Sequence, residues 1–180
     1  MNQVKIQYFR NGKYEVAQLI INNVNDKNPK NGEGDTPLHE AAKSGHFEIC
    51  RLILDEIEAK NPDNKIGITP LHYAAQVGSL SICKLIISNR CIVDKNPQYY
   101  DYEAPAREDF GRSPYHEAAA NGHFDICKFY SEILDNPNPK NECGTTPVRR
   151  NFLEMKSFVL SNQIILQFTF SFILQPNLAT

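Results

Sequence analysis

The sequence has almost no surplus of charge: 19 lysines and arginines face 21 aspartates and glutamates, leaving a formal −2 and a pI near 6.2. That excludes a field strong enough to gather nucleic acid or an anionic lipid surface. No apolar run follows the opening Met1-Asn2-Gln3-Val4-Lys5, so no secretory signal is read there. The cysteines number 5, an odd count, and none sits in a C-x-x-C pair, which fits a reducing setting, cytoplasmic or nuclear. G-x-S-x-G, the P-loop, G-x-G-x-x-G and H-E-x-x-H are all missing. The chain is therefore read as no enzyme, with no cofactor and no metal.

What is present is a globular balance, 41% hydrophobic and 22% charged over 180 residues, enough for one ordinary domain with a core. Within it the same words return. "TPLHEAAKSGHFEIC" begins at Thr36, "TPLHYAAQVGSLSIC" at Thr69 and "SPYHEAAANGHFDIC" at Ser113, and a further Thr-Pro stands at Thr146. The spacing is 33, then 44, then 33 residues. Gly12, Leu19 and Ile20 anticipate Gly45, Leu52 and Ile53 one period earlier.

Each recurring letter has a physical reason. Thr36, Thr69, Ser113 and Thr146 suit helix caps, and the proline after each suits the first helical position. Paired alanines (Ala41-Ala42, Ala74-Ala75, Ala118-Ala119) form helix readily and let neighbours approach. Glycine then stops the helix at Gly45, Gly78 and Gly122. A second amphipathic helix follows, with Phe47, Ile49, Leu52 and Ile53 on its buried face. Asn-Pro pairs at Asn28, Asn61, Asn96 and Asn138 precede a connecting hairpin.

From about Gly12 to Pro147 this pattern resembles the ankyrin repeat family, whose 33-residue period and T-P-L-H-x-A signature it shares. The fold expected is an all-α ankyrin-repeat solenoid of helix-turn-helix units joined by hairpin loops. It reads as a partial repeat at 1–33, full repeats at 34–66, 67–110 (with an expanded loop) and 111–143, and a degenerate repeat with an uncharged hydrophobic tail at 144–180.

The reactive-looking residues follow the repeat. His39, His72 and His116 share one signature position, and His46 and His123 share another, so each recurs once per unit instead of converging on a point. The resemblance implies that the signature imidazole links backbone and cap hydroxyl. Cys50, Cys83 and Cys127 share a register on the second helix, about 10 Å apart between packed helices, too far for a disulfide. Cys91 and Cys143 lie near loops and are the more reactive thiols expected.

The resemblance further implies a concave groove lined by variable signature positions: Glu40 and Lys43, Tyr73 and Gln76, Glu117 and Ala120. Tyr73 between two glutamates would favour a partner of basic and apolar character. Tyr99, Tyr100 and Tyr102, set among acidic residues in the expanded loop "NPQYYDYEAPAREDFG", are expected as a second contact surface. The alternative for both is solvated surface with no partner.

The end of the chain departs from the pattern. Ser157–Thr180 carries no charged residue, and residues 157–174 read as an atypical helical cap, an aggregation-prone extension or a tail anchor. Asn162, Gln163 and Gln167 argue against the anchor. The function expected is that of a monomeric, non-catalytic scaffold binding an unidentified protein, without nucleic acid. The alternatives are a cytoplasmic segment of a membrane-associated protein such as a channel, tethered by that tail, or a fragment of a longer enzyme.

Overall fold

A computed structural model describes residues 2–57, 61–89, 94–100 and 111–147. Tyr102, Cys91 and the tail at 157–174 lie outside the described residues. Among the described residues eight helices run in antiparallel pairs: α1 (Asn2–Arg10) with α2 (Tyr14–Asn23), α3 (Pro37–Lys43) with α4 (Phe47–Glu56), α5 (Pro70–Gln76) with α6 (Leu80–Ile87), and α7 (Pro114–Ala120) with α8 (Phe124–Ile133). First helices pack on first helices and second on second, so the pairs stack in chain order. Among the described residues there is no strand, only an isolated bridge between Tyr99 and Arg112.

The stack forms because no pair can cover its own apolar stripe. Ala41, Ala42, Ala74, Ala75 and Ala118 are wholly buried between first helices, where a methyl group is all that the close approach admits. Ile49, Ile53, Ile82, Ile86 and Ile126 fill the space behind them from the second helices. Charged residues fall on the opposite face of the second helices, where Glu48, Arg51 and Asp125 are exposed. In the first pair the signature start is missing, yet α1 forms, and buried Ile6 and Phe9 supply the contact that smaller residues make elsewhere.

At the turn edge, where each first helix meets its second, histidine reaches back to the preceding pair. His46 Nε2 lies 2.9 Å from the Arg10 carbonyl and His123 Nε2 lies 2.9 Å from the Gln76 carbonyl, both at the exposed end of a first helix. Each ring rests on a glycine. A Cβ built at Gly12 would come within 2.7 Å of the His46 ring, and one at Gly78 within 2.6 Å of the His123 ring. Both glycines also hold positive φ (72° and 79°), so the turn and the docking ring require the same residue. The third such position is Ser79, and Gly45 before it has open space.

Candidate functional site

The T/S-P-x-H start of each unit organises the hairpin side of the stack. Thr36 accepts the His39 backbone N–H on its hydroxyl, and His39 Nδ1 accepts the Thr36 N–H at 3.0 Å, a reciprocal box with imidazole in the place of the usual carboxylate. Nδ1 being an acceptor, Nε2 carries the proton and donates to the Ile68 carbonyl of the following hairpin at 3.0 Å. His72 repeats this with Thr69 and the Arg112 carbonyl (3.3 Å), and His116 with Ser113 and the Thr145 carbonyl (3.0 Å). Each imidazole thus ties its unit to the next as the neutral tautomer. Burial holds the His39 pKa below the ordinary value and takes that of His72 down to about 3.

The hairpins share a second device. Asn31, Asn64 and Asn141 each accept backbone N–H groups on the side-chain oxygen, closing a tight loop ahead of the next cap. Asn64 Nδ2 also donates to Asp35 Oδ1 at 2.8 Å, which satisfies a carboxylate with no exposed surface. The corresponding place in the expanded hairpin belongs to Tyr99. Its N–H donates to the Arg112 carbonyl (2.9 Å) and its carbonyl accepts from Gly111 (3.2 Å), as Asn31 does with Asp35 and Gly34. Neighbouring tips are joined as well, Lys65 N–H to the Glu33 carbonyl and Tyr100 N–H to the Ile66 carbonyl.

Tyr99 therefore sits at the base of the insertion. Its ring stands edge-on to His72 (5.1 Å between centroids) and its hydroxyl donates to Glu117 Oε1 at 3.0 Å. Glu117 in turn receives Arg112 Nη2 on Oε2 at 3.0 Å, with Arg112 Nε 3.0 Å from Oε1. Tyr99 and Tyr100 are both half-buried. The sequence placed Tyr99 with the free loop because the insertion begins beside it. The signal that could have moved it is its distance from Asn-Pro, the same as that of Asn31, Asn64 and Asn141.

The signature positions separate into two sets. Glu40, Tyr73 and Glu117, expected in the groove, are covered, at 6%, 8% and 4% exposure. Tyr73 Oη lies 3.4 Å from Asp35 Oδ2, and burial beside that carboxylate raises its pKa well above the ordinary value. Burial also raises the Glu40 carboxyl, against the opposing pull of Lys43 and Arg10. What meets each of them comes from earlier in the chain: Arg10 at Glu40, Asp35 at Tyr73, and Tyr99 with Arg112 at Glu117. The accessible set lies at the ends of the first helices. Arg10 and Gln76 are exposed, Lys43 and Ala120 half-buried, and Val77 is exposed at 42%. Lys43 Nζ rests 4.8 Å from the centre of the Tyr73 ring, and Arg10 Nε is 3.7 Å from Glu40 Oε2.

The thiols divide in the same way. Cys50, Cys83 and Cys127 are pushed up to about 12 by burial, which keeps them protonated and inert, while Cys143 is exposed at a hairpin tip. Among the described residues no group of three or more His, Cys, Asp or Glu is placed to hold a metal ion, and no helix is long and apolar enough to cross a membrane.

A family model described as ankyrin repeats (3 copies) matches residues 6–101. No curated protein matches the chain.

Proposed function

Because the chain belongs to the ankyrin repeat family, we propose that it is a non-catalytic, monomeric recognition module that holds a protein partner along its first-helix ends and hairpins. One observation carries this reading. The buried layer repeats from unit to unit, whereas the accessible position above it changes, from Arg10 to Lys43 to Gln76 to Ala120. A fixed frame with a varying row is what selective binding requires. The frame is tied by side chains to backbone, so little ordering entropy is lost when a partner docks. Of the residues expected at the contact, Lys43 and Gln76 remain as direct contacts, Tyr73 supports Lys43 from beneath, and Glu40, Glu117 and Tyr99 act as the frame's own joints. Tyr100 and Tyr102 stay with the hairpin side of the proposed surface. The free thiols of Cys50, Cys83 and Cys127 suit a reducing compartment such as the cytosol.

A photo-crosslinking residue placed at Gln76 and, separately, at Lys128 on the outer face of α8 tests this in extract from the native source. Discrete crosslinked species from position 76 and none from 128 are expected. Equal crosslinking from both, or none from either, would discard the first-helix face as a binding surface.

A further inference from the structure

The carboxylates that seemed to set the character of the groove do not reach its surface. Glu40 and Glu117 are at 6% and 4% exposure, Asp35 has none, and the outer oxygen of Glu40 is itself covered. Each is answered within the stack: Glu117 by Arg112 and Tyr99, Asp35 by Asn64, Glu40 by Arg10. Their cationic partners on the first helices stay accessible. The Arg10 side chain is 60% exposed, and Lys43 is half-buried with its ammonium over the Tyr73 ring. One turn beyond Tyr73 on the same face of its helix comes Val77, at 42% exposure. Among the described residues the accessible positions at the first-helix ends carry these two cations, amides, small residues and one aliphatic side chain, and no carboxylate. Exposed acidic residues lie on the second helices, such as Glu15, Glu48, Asp55, Asp125 and Glu132, and on the hairpins, where Glu33, Asp63 and Glu142 stand beside exposed Lys30, Lys65 and Lys140.

We infer that the partner segment held along this face is acidic and apolar, with a carboxylate set against Arg10 and Lys43 and an aliphatic or aromatic side chain against Val77. This is opposite in sign to the expectation drawn from Glu40 and Glu117 in the sequence, and it rests on the recognition role proposed above. A basic segment would bring its charge to Arg10 and Lys43, and the exposed carboxylates open to it, Glu33, Asp63 and Glu142, stand on the hairpin tips and not on the first-helix ends. A neutral one would leave both cations to water. An acidic segment gains rim ion pairs and long-range steering, both of which weaken with salt.

The test uses the full chain, immobilised, and a displayed library of random 16-residue peptides. Enriched peptides are expected to carry net negative charge with at least one large apolar residue. Measured by fluorescence anisotropy, they should bind the Arg10→Gln/Lys43→Gln double variant about tenfold more weakly and bind Lys128→Gln, altered on the outer face, as they bind the parent chain. On the parent chain itself, affinity should fall at least about threefold between low and physiological salt, a readout that does not depend on any variant folding. Enriched peptides of basic or neutral composition, or acidic ones indifferent to both the double variant and salt, would overturn the acidic assignment. If basic peptides bind and Val77→Glu abolishes their binding, the recognition face stands and only its partner's charge is wrong. Peptides lost with Lys128→Gln alone, or no enrichment at all, overturn both.

Discussion

A glycine with positive φ can be kept for its backbone alone or also for what lies above it, and the turn edge separates these cases. Gly45 and Gly78 hold nearly the same φ, 73° and 79°, but only Gly78 has an imidazole on it. Gly45→Ala should cost about 1 kcal/mol, the backbone penalty of a Cβ in this region. Gly78→Ala should cost at least about 1 kcal/mol more, because the His123 ring, fixed by the Gln76 carbonyl, must give way. In a His123→Ser background that excess should vanish, which a urea-denaturation cycle of the two substitutions would read directly. The sequence makes both glycines legible as helix stops. It makes the imidazoles legible as architecture, since they recur in register, but the tie from His46 to Arg10 joins residues far apart in the chain and has no local signature.

Among the elements, the expanded hairpin shows how a unit survives a large insertion. The chain keeps the four bonds that matter, Tyr99 to Arg112, Gly111 to Tyr99, His72 to Arg112 and Tyr99 to Glu117, and lets length vary between them. Tyr99→Phe removes a donor to a buried carboxylate and should cost about 1–2 kcal/mol. Tyr8→Phe, at an exposed tyrosine on α1, should stay within about 0.5 kcal/mol. Equal effects of the two would mean that the phenol of Tyr99 does not anchor the loop. The first-helix contact offers a second check. Ala75 has no exposed surface, so Ala75→Leu should lower stability by about 2–3 kcal/mol through overpacking, seen as a lower urea midpoint with unchanged slope. Helices and their order were readable from caps, alanine pairs and glycine stops. The covering of Glu40, Tyr73 and Glu117 was not, because Arg10, Asp35 and Tyr99, which meet them, lie 18 to 38 residues away in the chain or in another unit, and one period of sequence says nothing of what packs against it.

At the scale of the whole molecule, the buried histidines make stability depend on pH with a fixed sign. His39 and His72 stay neutral in the folded state, below their ordinary value of 6.5, and take up protons more readily once unfolded. The unfolded chain then binds more protons in the acid window, so stability is full above about pH 6.5 and falls as pH is lowered toward 3. His72 alone should lose about 2 kcal/mol between pH 7 and pH 5. Glu40, raised by burial, acts in the opposite direction, so the measurement is made in a Glu40→Gln background. A flat urea midpoint across that interval would contradict the neutral bridging role of these rings. The stacked architecture as a whole was legible because periodicity is a property of the chain. The sign proposed for the recognition face was not, because it depends on which charges the assembled stack hides.

The turn-edge histidines also divide the array. His46 fastens the second helix pair to the first and His123 fastens the fourth to the third, but Ser79 leaves the junction between the second and third without that clasp. That junction is fastened on the hairpin side by His39 and Asn64 and between the helices by Lys43 over the Tyr73 ring, but its turn edge carries no imidazole. The turn edge between Lys43 and Gln76 is therefore left with one fastening fewer than its neighbours.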